Sequence, residues 1–307
     1  MRRFLIRRLS LLLPSVLGVV TLVFLFIHLV PGDPVEVMLG ESANLADRVA
    51  LRSALHLDEP LLSQYRHFLA GLLQGDWGRS IQTGRPVREL VFERYPATLQ
   101  LAAAAMSFAL LLALPLGLIA ARYPFSPMTH GALFFALIGV SLPSYWFGPL
   151  LILLFSLKFG WFPVSGRGGV GHLVLPALTL GLALSALLTR MIRASILEVI
   201  RAEYICAARG KGLSTIRVLL RHALPNALTP LLTAIGLQFG SLLAGSVIIE
   251  TIFSWPGVGR LILQAIQTRD YTLVQGCLLI IALTYLVTNL LIDLLYGYFD
   301  PRVRYGR

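Results

Sequence analysis

Six apolar runs, each long enough to cross a bilayer as a helix, constrain this chain more than any other feature. They are Leu9–Val30, Ala97–Ala121, Gly131–Leu157, Leu173–Ile192, Ala227–Ile249 and Thr272–Tyr296. A hydrocarbon core of roughly 30 Å takes about 20 apolar residues in helical form. The runs lack the strict polar–apolar alternation of barrel strands, and in lipid only helices and closed barrels satisfy their own backbone groups. Composition agrees, with 56% of residues hydrophobic and 13% charged and a mean hydropathy of +0.77. That is more apolar surface than a soluble core of this length would bury. The predicted fold class is an all-α integral membrane protein with six transmembrane helices.

The cations orient these runs. With both termini in the cytoplasm, that side holds Arg2, Arg3, Arg7 and Arg8 before the first run and Arg122 after the second. It also holds Arg190, Arg193, Arg201, Arg209, Lys211, Arg217 and Arg221 around the fourth loop, and Arg302, Arg304 and Arg307 at the end. Only Glu198, Glu203 and Asp300 oppose them. The other side is close to neutral, so the positive-inside rule predicts cytoplasmic termini. The same bias accounts for a pI near 10.3 without nucleic acid, because no segment outside the runs interleaves cations with aromatics on a solvent face.

Patterns that carry chemistry are sparse. Cys206 and Cys277 are far apart in unrelated settings, and the six histidines show no His-x-x-x-His spacing, so neither a disulfide framework nor a metal site is expected. Gly210-Lys211 is followed by Gly212 where a phosphate loop has Ser or Thr, so the chain is not expected to hydrolyse ATP. No nucleophile and base sit at matched depth, and no catalytic, cofactor-binding or metal residue is assigned. An ion-coupled secondary carrier stays open as a reading of another class, although such carriers hold ionisable residues at mid-span. Here only Glu250 and Asp293 lie at or inside span ends.

Domain organisation follows from the runs. Residues 1–30 form a tail and first span, 31–96 an extracytoplasmic insertion, 97–296 a transmembrane domain of five helices, and 297–307 a cytoplasmic tail. Within the insertion, Pro31-Gly32-Asp33-Pro34 predicts a turn, while Leu45–Leu55 after Asn44, Leu61–Leu73 after Pro60, and Val87–Phe92 after Arg85-Pro86 predict helices. Trp77, in Gly75-Asp76-Trp77-Gly78-Arg79-Ser80, is expected at the headgroup level or against a partner.

Several motifs recur in order. They are an Arg-Arg-Leu start, Leu29-Val30-Pro31-Gly32-Asp33-Pro34, Leu57-Asp58-Glu59-Pro60-Leu61, the segment Gly75–Ser80, and Pro96-Ala97-Thr98-Leu99. Later come Phe253-Ser254-Trp255-Pro256-Gly257-Val258-Gly259-Arg260, Arg269-Asp270-Tyr271 and Asp300-Pro301-Arg302-Val303-Arg304-Tyr305. Between the fourth and fifth runs stands Cys206-Ala207-Ala208-Arg209-Gly210-Lys211-Gly212, leading to His222-Ala223-Leu224-Pro225. Nearly end to end, the chain resembles the ABC transporter permeases of dipeptide, oligopeptide and nickel importers, specifically the first of their two paralogous membrane subunits.

The resemblance implies the type I ABC importer architecture, a bacterial inner-membrane location, and a coupling loop at residues 201–225. Its coupling residues are Glu203, Cys206, Ala207, Ala208, Arg209, Gly210, Lys211, Gly212, His222, Leu224 and Pro225. Cys206 replaces the Glu of the general pattern, and Glu203, one turn earlier, is the candidate substitute. The segment Arg201–Leu220 is expected to lie as one short helix across an ATPase, with Ile192, Ile196, Val199 and Ile200 continuing the fourth span as an amphipathic stripe. Implied partners are a second permease subunit, two ATP-binding subunits that use ATP and Mg, and an extracytoplasmic solute-binding protein. Short peptides are the implied substrate, with nickel, a metal chelate or glutathione as alternatives.

Within the spans, Ser141, Pro143, Ser144 and Glu250 are candidates for the translocation path or its gate. Glu250 is otherwise expected to pair with Arg260 or Arg269, and Asp293 to be solvated at the interface. Gly236, Gly240 and Gly245 form a small-residue surface, expected at the seam with the second subunit.

Overall fold

The computed structural model describes residues 2–29 and 57–299 apart from 128, 132, 133, 135–138, 140 and 141, together with 35, 44, 46, 49, 52 and 53. Among these residues the chain is helical, with one isolated bridge between Arg79 and Pro86. The elements are α1 (Arg2–Leu29), α2 (Leu61–Gln74), α3 (Val87–Arg122), α4 (Ser144–Leu151), α5 (Val170–Ile200), α6 (Glu203–Gly210), α7 (Thr215–Val218), α8 (Leu224–Ile252), α9 (Val258–Gln267) and α10 (Tyr271–Phe299). Two π-helical stretches, Ile152–Lys158 and Leu219–Ala223, follow α4 and α7.

Segments long and apolar enough to cross a membrane lie in α1, α3, α5, α8 and α10, and Ser144–Lys158 is a shorter apolar helix. The first half of the predicted third span lies largely outside the described residues, Ser141 among them. At Pro143 the backbone is extended, with ψ of 131°, and a new helix starts at Ser144. Pro143 thus stands at a helix start, where its carbonyl accepts the N–H groups of Trp146 and Phe147, both at 3.0 Å.

The core is the contact of α3 with α5. Ala97, Leu101, Ala105, Ala109 and Ala113 recur every fourth residue on α3 and are buried, facing Leu184, Leu188, Ile192 and Ile196 of α5 within one cluster. Lipid tails are as apolar as these side chains, so the helices are held by close packing rather than by escape from water. The backbones approach closely: a Cβ on Gly181 would stand 2.7 Å from the Ala105 carbonyl oxygen, and one on Gly117 would stand 2.6 Å from Ile192.

At the other edge α1 lies against α10, where Val20 and Val23 pack on Leu279. Arg8 pairs with Asp293 at 2.9 Å, so Asp293 is an ion-pair partner that ties α1 to α10, not a merely solvated group. Of the insertion, α2 matches its predicted range and stops at Gly75, whose left-handed φ of 77° closes the helix. The turn at 31–34 and most of the helix expected after Asn44 fall outside the described residues. Trp77 is an anchor inside the chain: its ring lies 5.7 Å from Phe92 and joins the clusters around Val87 and Leu279.

Candidate functional site

Two short helices connect long spans at opposite ends of the bundle. At the end where α5 finishes, the segment expected as one helix over Arg201–Leu220 is two, α6 and α7, because Lys211–Ser214 turn the chain. Gly212 adopts φ of +80° and donates its N–H to the Arg209 carbonyl at 2.9 Å, a left-handed residue that suits glycine at a helix end.

The faces of α6 divide sharply. Ile205 and Ala208 are buried and join Val218, Leu219 and Ala223 in the main core. Glu203, Cys206, Ala207 and Gly210 are exposed, and at spacings of three, four and seven they share one face. Arg209, Lys211 and Gly212 are exposed beside it. The outward face is thus small side chains rimmed by cations, with Glu203 in the first turn, where the helix dipole favours it. As predicted, the amphipathic stripe of α5 runs on, with Ile192 and Ile196 buried and Val199 and Ile200 packed against the core. Leu224 and Pro225 open α8, with Pro in its first turn. His222 lies half-buried in the π-helical stretch, and its carbonyl accepts the Asn226 amide at 2.7 Å.

At the opposite end, α9 is fixed by a buried polar network. Glu250, fully buried, accepts the Thr98 hydroxyl at 2.7 Å and the backbone N–H of Arg260 at 3.0 Å. Thr98 in turn accepts the Val258 N–H at 2.8 Å. A carboxylate and a hydroxyl from two spans thereby satisfy the first N–H groups of α9, which every helix leaves open. Such proximity needs glycine: a Cβ on Gly257 would lie 2.2 Å from the Glu250 carboxyl carbon. The expected partnership of Glu250 with Arg260 exists through the backbone, while the Arg260 guanidinium donates to the Ser254 carbonyl at 3.0 Å.

Next along the chain, buried Asp270 caps α10 by accepting the Leu273 N–H at 3.1 Å and also accepts the Ser80 hydroxyl. The insertion is thereby tied to the corner between α9 and α10. The sequence reading missed both α9 and this cap. Their signals were present: Val258, Leu261, Ile262 and Ala265 at helical spacing, and an Asp directly before an apolar run.

The glycines predicted at the subunit seam have neighbours within this chain. A Cβ on Gly236 would meet Ile292 at 2.3 Å, and one on Gly240 would meet Tyr285 at 2.3 Å. These glycines admit α10 of the same chain, and Gly245 sits near Leu180 of α5. Of the gate candidates, Pro143 and Ser144 mark the start of α4, and Glu250 belongs to the network that holds α9.

The residues thus build a helical membrane bundle that turns a small, cation-rimmed helix outward between two spans. Residues 113–305 match the family described as binding-protein-dependent transport system inner membrane component, and residues 1–102 match its N-terminal companion family. The chain belongs to this family. It is a multi-pass inner-membrane permease subunit of an ABC importer, works with ATPase and solute-binding subunits, and is not itself an enzyme. It is 42% identical to the dipeptide transport system permease protein DppB of Escherichia coli (strain K12) over 100% of both chains. It is 44% identical to the di/tripeptide transport system permease protein DppB of Pseudomonas aeruginosa (strain UCBPP-PA14), again over 100% of both. The glutathione transport system permease protein GsiC of Escherichia coli (strain K12) is 39% identical over 99% of this chain and 100% of its own. Among solved structures, the MetNI methionine ABC transporter matches with a TM-score of 0.58 at 18% identity, over 69% of this chain and 96% of that one, a likeness of fold.

Proposed function

We propose that this chain forms half of the pore of a short-peptide importer, paired with a paralogous permease subunit. In this reading it has six spans with both termini cytoplasmic, two ATP-binding subunits use ATP and Mg beneath it, and a solute-binding protein delivers peptide from outside. The observation that carries the coupling role is the outward face of α6, where Cys206, Ala207 and Gly210 stand exposed while Ile205 and Ala208 bind the helix to its own core. Small side chains let another protein's groove approach the backbone, and Arg209, Lys211, Arg217 and Arg221, all exposed, suit acidic rims or anionic headgroups. Because α6 rests on the end of α5, and α7 leads through Leu219–Ala223 into α8, pressure on α6 moves both spans together. ATP-driven closure of the ATPases would tilt these spans to open the pore outward, and hydrolysis would reset it.

Peptide as substrate is supported by full-length identity to two permeases named for dipeptide and di/tripeptide transport. Glutathione is the second reading, favoured by the 39% relative; competition between alanyl-alanine and glutathione for uptake decides between them. The test of coupling uses the complete importer in proteoliposomes. Cys206 is exposed and Cys277 buried, so a thiol crosslinker on the unaltered chain reads the α6 face. Crosslinking to an ATPase subunit and ATP-dependent uptake are expected. Uptake under a proton gradient without ATP would instead identify a secondary carrier.

A further inference from the structure

One guanidinium at the α9 end of the bundle takes no part in the network just described. Arg167 lies in the loop Gly166-Arg167-Gly168-Gly169 before α5. Gly166 takes φ of +90° and donates its N–H to the Phe253 carbonyl at 2.8 Å, which ties the loop to the turn after α8. The Arg167 side chain is then directed from two further elements. Its Nε and Nη2 donate to Gln100 Oε1 on α3, at 3.3 and 2.9 Å, and its Cζ lies 5.9 Å from the centre of the Trp255 ring. Trp255 is itself held, buried with its indole N–H on the Ala97 carbonyl at 2.8 Å.

These contacts use one edge of the guanidinium and leave its Nη1–Nη2 end open. Arg167 is exposed, and no carboxylate pairs with it among the described residues. That open end is the edge that takes a carboxylate through two parallel N–H···O bonds, and the two bonds to Gln100 hold the guanidinium in advance. Preorganisation of this kind removes part of the entropic cost of binding.

Position argues for a substrate path. Helix α3 has 36 residues, roughly 54 Å at about 1.5 Å per residue, and so exceeds a hydrocarbon core of roughly 30 Å. Its first turns carry Arg88, Glu89, Glu93 and Arg94, which places Gln100 just inside the boundary. Gln100, Ala103 and Ser107 form an exposed stripe on that helix. A Gln amide that carries an exposed guanidinium would be costly against lipid, so this face borders water or protein.

We infer that Arg167, oriented by Gln100 and Trp255, is a carboxylate-receiving site at the outer mouth of the pore, and that it takes the C-terminal carboxylate of the incoming peptide. This rests on the short-peptide reading above. An acidic side chain of the solute-binding protein has the same chemistry, and the experiment separates the two sources.

In the complete importer, uptake of alanyl-alanine is compared with that of alanyl-alanine amide at saturating solute-binding protein, for the unaltered chain, Arg167→Gln and Arg167→Lys. Lys keeps the charge but loses the fork, and retained uptake of the amide shows that a loss for the acid is not a folding failure. For the free acid, kcat/KM is expected to fall at least about tenfold in both, as removal of a charge-assisted pair implies. Uptake of the amide is expected to change less than about twofold. ATP hydrolysis stimulated by ligand-free binding protein, and co-purification of the two permease subunits, are expected to stay the same. Equal loss for acid and amide together with lost stimulation would assign Arg167 to the binding protein and overturn the inference. Loss of co-purification would make it a subunit contact, and unchanged kinetics would leave it no ligand. Absence of alanyl-alanine uptake in the unaltered complex would remove the short-peptide reading itself.

Discussion

The two short helices that interrupt the spans, α6 at one end of the bundle and α9 at the other, are built in opposite ways. Helix α9 buries Val258, Gly259, Leu261, Ile262 and Ala265, and its N-terminus is held by Glu250 and Thr98 from two different spans. Helix α6 buries only Ile205 and Ala208, has no side-chain cap, and turns Glu203, Cys206, Ala207 and Gly210 outward. One is fastened to its own chain by hydrogen bonds with no solvent to replace them; the other keeps a face in reserve. The coupling role proposed for α6 needs a firm seat on one side and an unfilled surface on the other, and α6 has both.

The comparison breaks most decisively at Glu250. In Glu250→Ala, the Thr98 hydroxyl and the Arg260 N–H lose their acceptor in a buried site, and each stranded group costs about 1–3 kcal/mol. A total loss of roughly 3–5 kcal/mol is expected, on the scale of breaking a buried polar network, seen as a large drop in the unfolding midpoint of the detergent-solubilised complex. Glu250→Gln keeps one acceptor oxygen and is expected to lose less. If Glu250→Ala melts like the unaltered chain, α9 is not held by this carboxylate.

A second, smaller break lies between α8 and α10. Leu in place of Gly240 would drive its Cβ to 2.3 Å from the Tyr285 ring, and overpacking of this sort costs about 1–3 kcal/mol. The expected result is a lower unfolding midpoint of the chain with its pairing to the second permease subunit unaffected at low temperature. Restored stability in Gly240→Leu with Tyr285→Ala would place the strain at that contact.

Much of this architecture was legible in the sequence, because membrane spans announce themselves locally. Apolar runs located α1, α3, α5, α8 and α10, Pro60 preceded α2, and Leu224-Pro225 marked the start of α8. The small, basic character of α6 was equally local. What could not be read was contact. Glu250 meets a threonine 152 residues away, so its role as a clamp needed the fold, and an Arg260 side chain offered the more obvious but mistaken partner. Gly236 and Gly240 showed that something packs closely there, yet a small-residue pattern does not say whether the neighbour is α10 of the same chain or a different subunit. Asp293 likewise carried no mark of Arg8, which lies at the other end of the sequence.

The last prediction sharpens the contrast by separating stability from coupling. Ala207 is exposed on the outward face of α6, and Leu is nearly as good a helix former as Ala. Ala207→Leu should therefore change the stability of the chain by no more than about 0.5 kcal/mol, as for surface positions generally, and its unfolding midpoint should match that of the unaltered protein. A groove shaped for a methyl group has no room for isobutyl, so co-purification of the ATPase subunits and ATP-dependent uptake are expected to fall together. The matched substitution on the inner face, Ala208→Leu, crowds a residue buried against the core and should lower the midpoint as well. If Ala207→Leu retained its ATPase subunits while Ala208→Leu lost them, the partner would be engaging a different surface, and the small-residue face of α6 would have no part in receiving it.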